Sequence, residues 1–216
     1  MAIKVHGAPV STCTARVLAC LLEKGVEYEF IPIDFAAGTH KQQSFLSLNP
    51  FGLVPVLEDG DLILFESRAI TRYVADKHKD EGPDLLGSSK DPIALAAVDT
   101  WMEVEAHQFN GPISGLVYQI VVNPFLGMDP DEEQIRTHLE KLEKVLDVYE
   151  ERLQETKYLA GDFYSLADLH HIPYLLYLMR TPMSSLIISR PHVKAWWEKV
   201  SSRPASLQVS PGLNLS

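Results

Sequence analysis

Apolar and polar positions along the first eighty residues fall into blocks whose period switches between two and about 3.6. In IKVHG, from Ile3 to Gly7, apolar residues alternate with Lys4 and His6, the pattern of a strand. From Thr12 the period lengthens: Val17, Leu18, Leu21 and Leu22 share a helical face over 12–24, and Gly25 stands at the C-terminal stop. VEYEFIPIDF at 26–35, with its β-branched and aromatic residues, predicts a second strand. The polar stretch AAGTHKQQSFLSLNPFG that follows predicts a loop with a short helix. LVPVLEDGDLILFES then reads as a hairpin, with Asp and Gly crowding the turn at 58–61. SRAITRYVADKH closes the unit as a helix that opens on Ser67. The order is βαβ followed by ββα. A β-α-β half needs parallel strands and the hairpin adds antiparallel ones, so the expected sheet is mixed and four-stranded.

The pattern changes at 79–92, where KDEGPDLLGSSKDP is charged, carries Gly and Pro, and shows little apolar periodicity. It reads as a linker. Beyond it PIALAAVDTWMEVEAHQFN, DEEQIRTHLEKLEKVLDVYEERLQE, SLADLHHIPYLLYLMR and RPHVKAWWEKVSSRP all show helical spacing, and none reads as a strand. The expected organisation is an α/β domain at 1–80, a linker at 81–91 and an all-α domain at 92–216.

Composition narrows the partners. The chain has 216 residues, 46% hydrophobic and 22% charged, and a net charge of −10. The pI is about 5.2, which argues against a nucleic-acid partner. No apolar run reaches the roughly 20 residues of a membrane span, and no apolar signal region follows a basic start. Cys13 and Cys20 lie on one predicted helix, about 10.5 Å apart along its axis. That is too far for a disulfide, and two free thiols point to a reducing, cytoplasmic location.

Candidate chemistry gathers in the first domain. Ser11 at the helix start is either a plain N-cap or a donor aimed at an anion held there. Val54-Pro55 is either an edge-strand trans Pro or a cis bond whose Val54 backbone pairs with a peptide-like ligand. Glu66 at a strand end and Ser67 at a helix start suit a ligand's amine and carboxylate, unless Ser67 is only a cap. His40 and Lys41 are a solvated pair or a second carboxylate anchor. Cys13, two residues past Ser11, reads as a packing residue. His170 and His171, adjacent on a helix, do not share a face and have no ligand partners at suitable spacing, so no metal is expected. Trp196 and Trp197 read as helix packing, and Ser165 with Asp168 as a capping-box variant.

The segments PVSTCTARV, HKQQSFLSLNPFGLVPVLEDG, LFESRAITRYVA and YLAGDFYSLADL resemble the glutathione transferases of the plant phi class, over nearly the whole chain and in the same order. The resemblance implies a thioredoxin-like first domain that binds glutathione and a helical second domain that completes a hydrophobic pocket. Position by position, it implies that Ser11 serves the glutathione sulfur and that Thr12 lies beside it. It places His40 and Lys41 near the glycyl carboxylate, Val54 on the cysteinyl backbone ahead of a cis Pro55, and Glu66 with Ser67 on the γ-glutamyl unit. Leu53 stands where relatives carry Gln, so only its backbone serves the ligand, and glutathione affinity is expected to be lower. Thr12, Phe35, Ser114 and Tyr118 are the implied acceptor-pocket residues.

The expected activity is attack of the glutathione thiolate on hydrophobic electrophiles, with organic hydroperoxides as a further acceptor class. Glutathione is a co-substrate, and no cofactor is expected. The competing reading is a non-catalytic carrier of hydrophobic compounds. The resemblance also implies a homodimer; Phe51, a large aromatic on a loop tip, either enters a pocket near Val98 and Trp101 of the other subunit or folds back onto its own domain.

Overall fold

The computed structural model describes residues 2–87 and 91–214. Four strands, β1 (Ile3–Gly7), β2 (Tyr28–Pro32), β3 (Val56–Asp59) and β4 (Leu62–Phe65), form one sheet in the order β2-β1-β3-β4. β1 pairs parallel with β2, while β3 is antiparallel to both β1 and β4. The mixed sheet is therefore as the hydrophobic pattern predicts. Helix α1 (Thr12–Lys24) ends on Gly25 at φ 66, the left-handed conformation that closes its last turn. α2 (Gln43–Leu46) lies in the polar stretch, and α3 (Ser67–Lys77) follows β4. Gly60, at φ 63, makes the hairpin turn between β3 and β4.

The 81–91 stretch departs from a free linker. Leu85 and Leu86 are buried, the Leu85 carbonyl accepts from Leu166 N–H at 2.9 Å, and Lys24 Nζ donates to the Pro83 carbonyl at 2.8 Å. Residues 88–90 of that stretch lie outside the described residues.

The second half is helical. α4 (Pro92–Val104) runs through a π turn at Glu105–Phe109 into α5 (Asn110–Val117), then through a second π turn at Tyr118–Val122 into α6 (Asn123–Phe125). After this broken rod come α7 (Glu132–Glu155), α8 (Leu166–Leu169), α9 (Ile172–Leu178), α10 (Ser185–Ile188), α11 (Pro191–Ser201) and α12 (Pro204–Val209). The single helix expected over 165–180 is thus two, parted at His170 and His171. α10 falls in a stretch where no helix is expected.

Both histidines are buried and work inside the fold. His170 Nε2 bonds Thr71 Oγ1 at 2.8 Å, while His171 bonds the Ala167 carbonyl at 2.7 Å and Tyr149 Oη at 2.9 Å. Burial pulls His171 down to about 4, so its ring is neutral at physiological pH. Trp196 and Trp197 are buried too, as packing requires. One apolar core runs through both halves, joining Val17, Leu21, Ile70 and Val74 to Phe109, Ile113 and Leu169. A second, small core of Ile33, Phe45 and Val56 props the loop between β2 and β3.

Candidate functional site

Strand directions decide where the candidate residues meet. β1, β2 and β4 point the same way and β3 the opposite way, so three strand ends and one strand start share one end of the sheet. Ser11 and Thr12 follow β1, while Phe35, His40 and Lys41 follow β2. Leu53, Val54 and Pro55 precede β3, and Glu66 and Ser67 follow β4. Residues spread over 57 positions are therefore brought to one end of the sheet by topology alone.

Ser11 is the N-cap of α1. Its Oγ accepts the Thr14 N–H at 3.2 Å, and its own N–H donates to the Ala8 carbonyl at 2.9 Å. Capping uses an oxygen lone pair and leaves the hydroxyl hydrogen to donate elsewhere. Cap and anion donor are thus compatible in one side chain. Cys13, one turn in, is half-buried and unbridged, with Arg16 donating to its Sγ at 3.6 Å.

At the start of α3 the backbone is strained. Glu66 has φ 69 and ψ 105, a region few side-chain-bearing residues adopt, at a cost of about 1–3 kcal/mol. Strain of this kind persists where the surroundings impose it, and here it turns an exposed Glu beside a buried Ser67. Ser67 Oγ accepts from the fully buried Arg16 at 2.8 Å, leaving its hydroxyl hydrogen to donate. Arg16 lies 3.5 Å from the buried Glu105 of the second domain, and that carboxylate takes a two-point bond from Arg68 at 2.7 and 2.9 Å. The π turn at Glu105–Phe109 carries Glu105 into this interior position. An unpaired Arg16 would be very costly to bury, and the Glu105 carboxylate offsets that cost.

The loop residues are folded against each other. Asn49, buried, donates to the Leu53 carbonyl at 2.8 Å and accepts from Phe51 N–H at 3.1 Å. Gly52 sits at φ +60, and a Cβ there would lie 2.8 Å from the His40 carbonyl, so only glycine lets the two loops touch. Lys41 Nζ donates to the Gly52 carbonyl at 3.2 Å, and the His40 ring packs edge-on against Phe35 at 5.0 Å. His40 Nδ1 is buried without a hydrogen-bond partner. The Val54-Pro55 bond is cis, and the Leu53 side chain is exposed.

Across from this end stands the second domain. Tyr174 of α9, nearly buried, reaches the Thr12 side chain, and it also feels Tyr118 and Cys13. Tyr118 is exposed and lies one helical turn beyond Ser114, whose hydroxyl donates to the Gly111 carbonyl at 3.1 Å. Phe35 is exposed on the first-domain side. Thr12, Tyr118 and Tyr174 thus bring a hydroxyl and two phenol rings near one another, the mixture found in pockets for apolar molecules. A shallow, open groove lies along α4 beside Asp99, Glu103 and His107 and is not part of this end.

Comparison with known proteins decides the family. The model described as "Glutathione S-transferase, N-terminal domain" matches residues 1–76, and that described as "Glutathione S-transferase, C-terminal domain" matches 109–204. The chain belongs to the glutathione S-transferase family. It is 56% identical to glutathione S-transferase F13 of Arabidopsis thaliana, covering 100% of this chain and 98% of that protein. The crystal structure of glutathione transferase F7 from Populus trichocarpa superposes with a TM-score of 0.95 at 55% identity, over 98% of this chain and 99% of that one. Glutathione S-transferase I from maize, in complex with an atrazine glutathione conjugate, gives a TM-score of 0.92 at 44% identity over 99% and 98% of the two chains. The resemblance to plant phi-class enzymes therefore holds over the full length, and the protein is a transferase.

Within this transferase, four residues escaped the sequence reading: Arg16, Glu105, Tyr174 and Tyr177. Arg16 and Tyr177 lie on apolar helical faces, where a sequence pattern marks burial but not a polar partner. At the expected partner pocket Val98 is fully buried, while Trp101 is half-buried and packs edge-on against Tyr149 at 5.7 Å. Among the described residues, no helix is long and apolar enough to cross a membrane, and no three His, Cys, Asp or Glu side chains are grouped as a metal would need.

Proposed function

We propose that this glutathione S-transferase joins the glutathione thiolate to hydrophobic electrophiles, with Ser11 donating a hydrogen bond to the sulfur. The observation that carries the reading is the meeting of Ser11 and the strained Glu66–Ser67 turn at one end of the sheet. Ser67 and Glu66 take the γ-glutamyl carboxylate and amine, and the Val54 backbone before Pro55 takes the cysteinyl unit. His40, with its unpartnered Nδ1, and Lys41 take the glycyl carboxylate. Thr12 borders both this cleft and the aromatic wall of Phe35, Ser114 and Tyr118. The conjugate carried by the maize relative supports this substrate class.

A free thiol with pKa about 8.5 is only a few per cent ionised at neutral pH, so holding the thiolate is the central task. The thiolate attacks the electrophilic carbon, the S–C bond forms, the leaving group departs with its electron pair, and the thiol proton has already gone to solvent. With a hydroperoxide, sulfur attacks the distal oxygen and an alcohol leaves. A second glutathione then reduces the sulfenic acid to disulfide and water. Conjugation of a chloro-dinitrobenzene acceptor, run beside displacement of a fluorescent apolar ligand, tests the proposal. Displacement without conjugation would mean a carrier.

Three further parts of this reading concern affinity, assembly and place. Leu53→Gln puts an amide on an exposed side chain beside the site and is expected to tighten glutathione binding by about 1 kcal/mol. Calorimetry on both proteins checks this, and equal or weaker affinity would show a site adapted to leucine. Phe51 is 64% exposed, with only an edge contact to Phe65, and leaving it in water costs roughly 2 kcal/mol. We place it in the interface of a homodimer. Light scattering of Phe51→Ser is expected to show a lower dimer fraction, whereas an unchanged dimer would remove Phe51 from the interface. Two unbridged cysteines support a cytoplasmic setting, which imaging of a tagged protein tests.

A further inference from the structure

The segment that delivers Ser11 is held from the other domain. Tyr177 of α9 donates its phenol O–H to the Val10 carbonyl at 2.9 Å. The amide on the far side of that same peptide, Ser11 N–H, donates to the Ala8 carbonyl at 2.9 Å. Both polar atoms of the Val10–Ser11 peptide are therefore bonded, one within the first domain and one across to the second. A peptide plane so fixed sets the Cα–Cβ direction of the residue that follows it. One helical turn before Tyr177, Tyr174 reaches the Thr12 side chain on the other flank of Ser11.

The hold continues one turn on. Arg180 donates to the Ser210 carbonyl and hydroxyl, each at 2.9 Å, and also bonds the Leu213 carbonyl. This draws the segment Ser210–Gly212 onto the first domain, where a Cβ on Gly212 would stand 3.2 Å from the Pro9 carbonyl. Pro9, Val10 and Thr12 thus each meet the second domain, while Ser11 between them stays half-buried and open to a ligand. Burial raises the Tyr177 phenol to about 12, so it remains a proton donor throughout the range in which glutathione ionises.

We propose that Tyr177 is a positioning residue for conjugation: its bond to the Val10 carbonyl, backed by the Arg180 latch, aims the Ser11 hydroxyl at the glutathione sulfur. The inference rests on the thiolate role proposed for Ser11. It gives the second domain a part in activating glutathione as well as in housing the acceptor. Loss of the bond lets the Val10–Ser11 peptide rotate, which weakens a donor contact to sulfur that depends steeply on angle. The anchoring of the rest of the tripeptide does not pass through Val10.

The test is a titration of the bound thiol. Ultraviolet thiolate absorbance of the glutathione complex is followed against pH for wild type, Tyr177→Phe, Arg180→Gln and Ser11→Ala. Tyr149→Phe is the control, since it removes a phenol bond to His171 inside the second domain, away from Val10. We expect Tyr177→Phe to raise the apparent pKa by about half a unit, roughly a three-fold loss of thiolate at a pH below it. Glutathione affinity should stay within about two-fold, and Arg180→Gln should shift the pKa in the same direction by less. The Tyr149→Phe complex should titrate with wild type, even where its melting temperature falls. If Ser11→Ala shifts the pKa and neither Tyr177→Phe nor Arg180→Gln does, the positioning role is overturned and the Ser11 reading stands. An equal shift in Tyr149→Phe would reduce the effect to general destabilisation and likewise overturn it. If Ser11→Ala itself titrates as wild type, both readings fall together.

Discussion

Replacing Asp168 by alanine is expected to lower the unfolding free energy by about 4 kcal/mol, the largest stability loss of any single change considered. Four donors converge on this fully buried carboxylate. Oδ1 accepts from Leu159 N–H at 3.0 Å and Trp196 Nε1–H at 2.9 Å, and Oδ2 accepts from Ser165 N–H at 3.0 Å and Ser165 Oγ–H at 3.2 Å. The carboxylate thus completes the capping box of α8, fixes the turn after α7 and anchors α11. Alanine strands all four donors. Asn at 168 turns two amide hydrogens toward groups that themselves donate, so it is expected to rescue little. Urea unfolding of the two variants and wild type measures both losses, and a loss under about 1 kcal/mol in Asp168→Ala would contradict the account.

This carboxyl also gives stability a pH signature. Burial raises it from 3.8 to about 6, the four donors cancelling only part of the effect. Between those values the native state binds more protons than the unfolded state, so this group makes stability fall as pH rises from about 4 to about 6. The deficit of Asp168→Asn relative to wild type is therefore expected to narrow over that window. A constant deficit would place the carboxyl at its ordinary value.

The first domain was legible because its signals are local. Alternation in IKVHG, the Val17–Leu22 face with Gly25 after it, and the turn around Gly60 each act within a few residues, and the observed β1, α1 and hairpin follow them. The same locality explains the misses. Helical spacing over 165–180 masks the break at His170 and His171, which Pro173 in the first turn of α9 marks, and their rings are held by Thr71 and Tyr149 from distant parts of the chain. The π turn that carries Glu105 inward brings it to Arg16 and Arg68, and Leu85 is buried by a domain contact within a charged, weakly periodic stretch. The candidate site divides likewise. Ser11 and Ser67 announce themselves at helix starts, whereas the φ of Glu66 and the reach of Tyr177 to Val10 arise only from the assembled fold.

Ser11→Ala is the second large effect. A hydrogen bond to a charged acceptor contributes about 1.5–3 kcal/mol, so losing it from the thiolate is expected to lower kcat by about ten-fold or more. The same change removes the cap on Thr14 N–H and about 1 kcal/mol of stability, a loss that shows in melting rather than in the thiol's titration. Glutathione affinity should hold within about three-fold, because in the proposed binding mode the Glu66–Ser67 turn and the His40 and Lys41 loop take the rest of the tripeptide. The most direct measurement is the pH dependence of kcat/KM for conjugation by wild type and Ser11→Ala, with glutathione affinity measured alongside by calorimetry. The account predicts a wild-type profile that titrates below the free thiol and a mutant profile displaced to higher pH at lower rate. Coincident profiles and rates would contradict it and leave Ser11 as a helix cap alone.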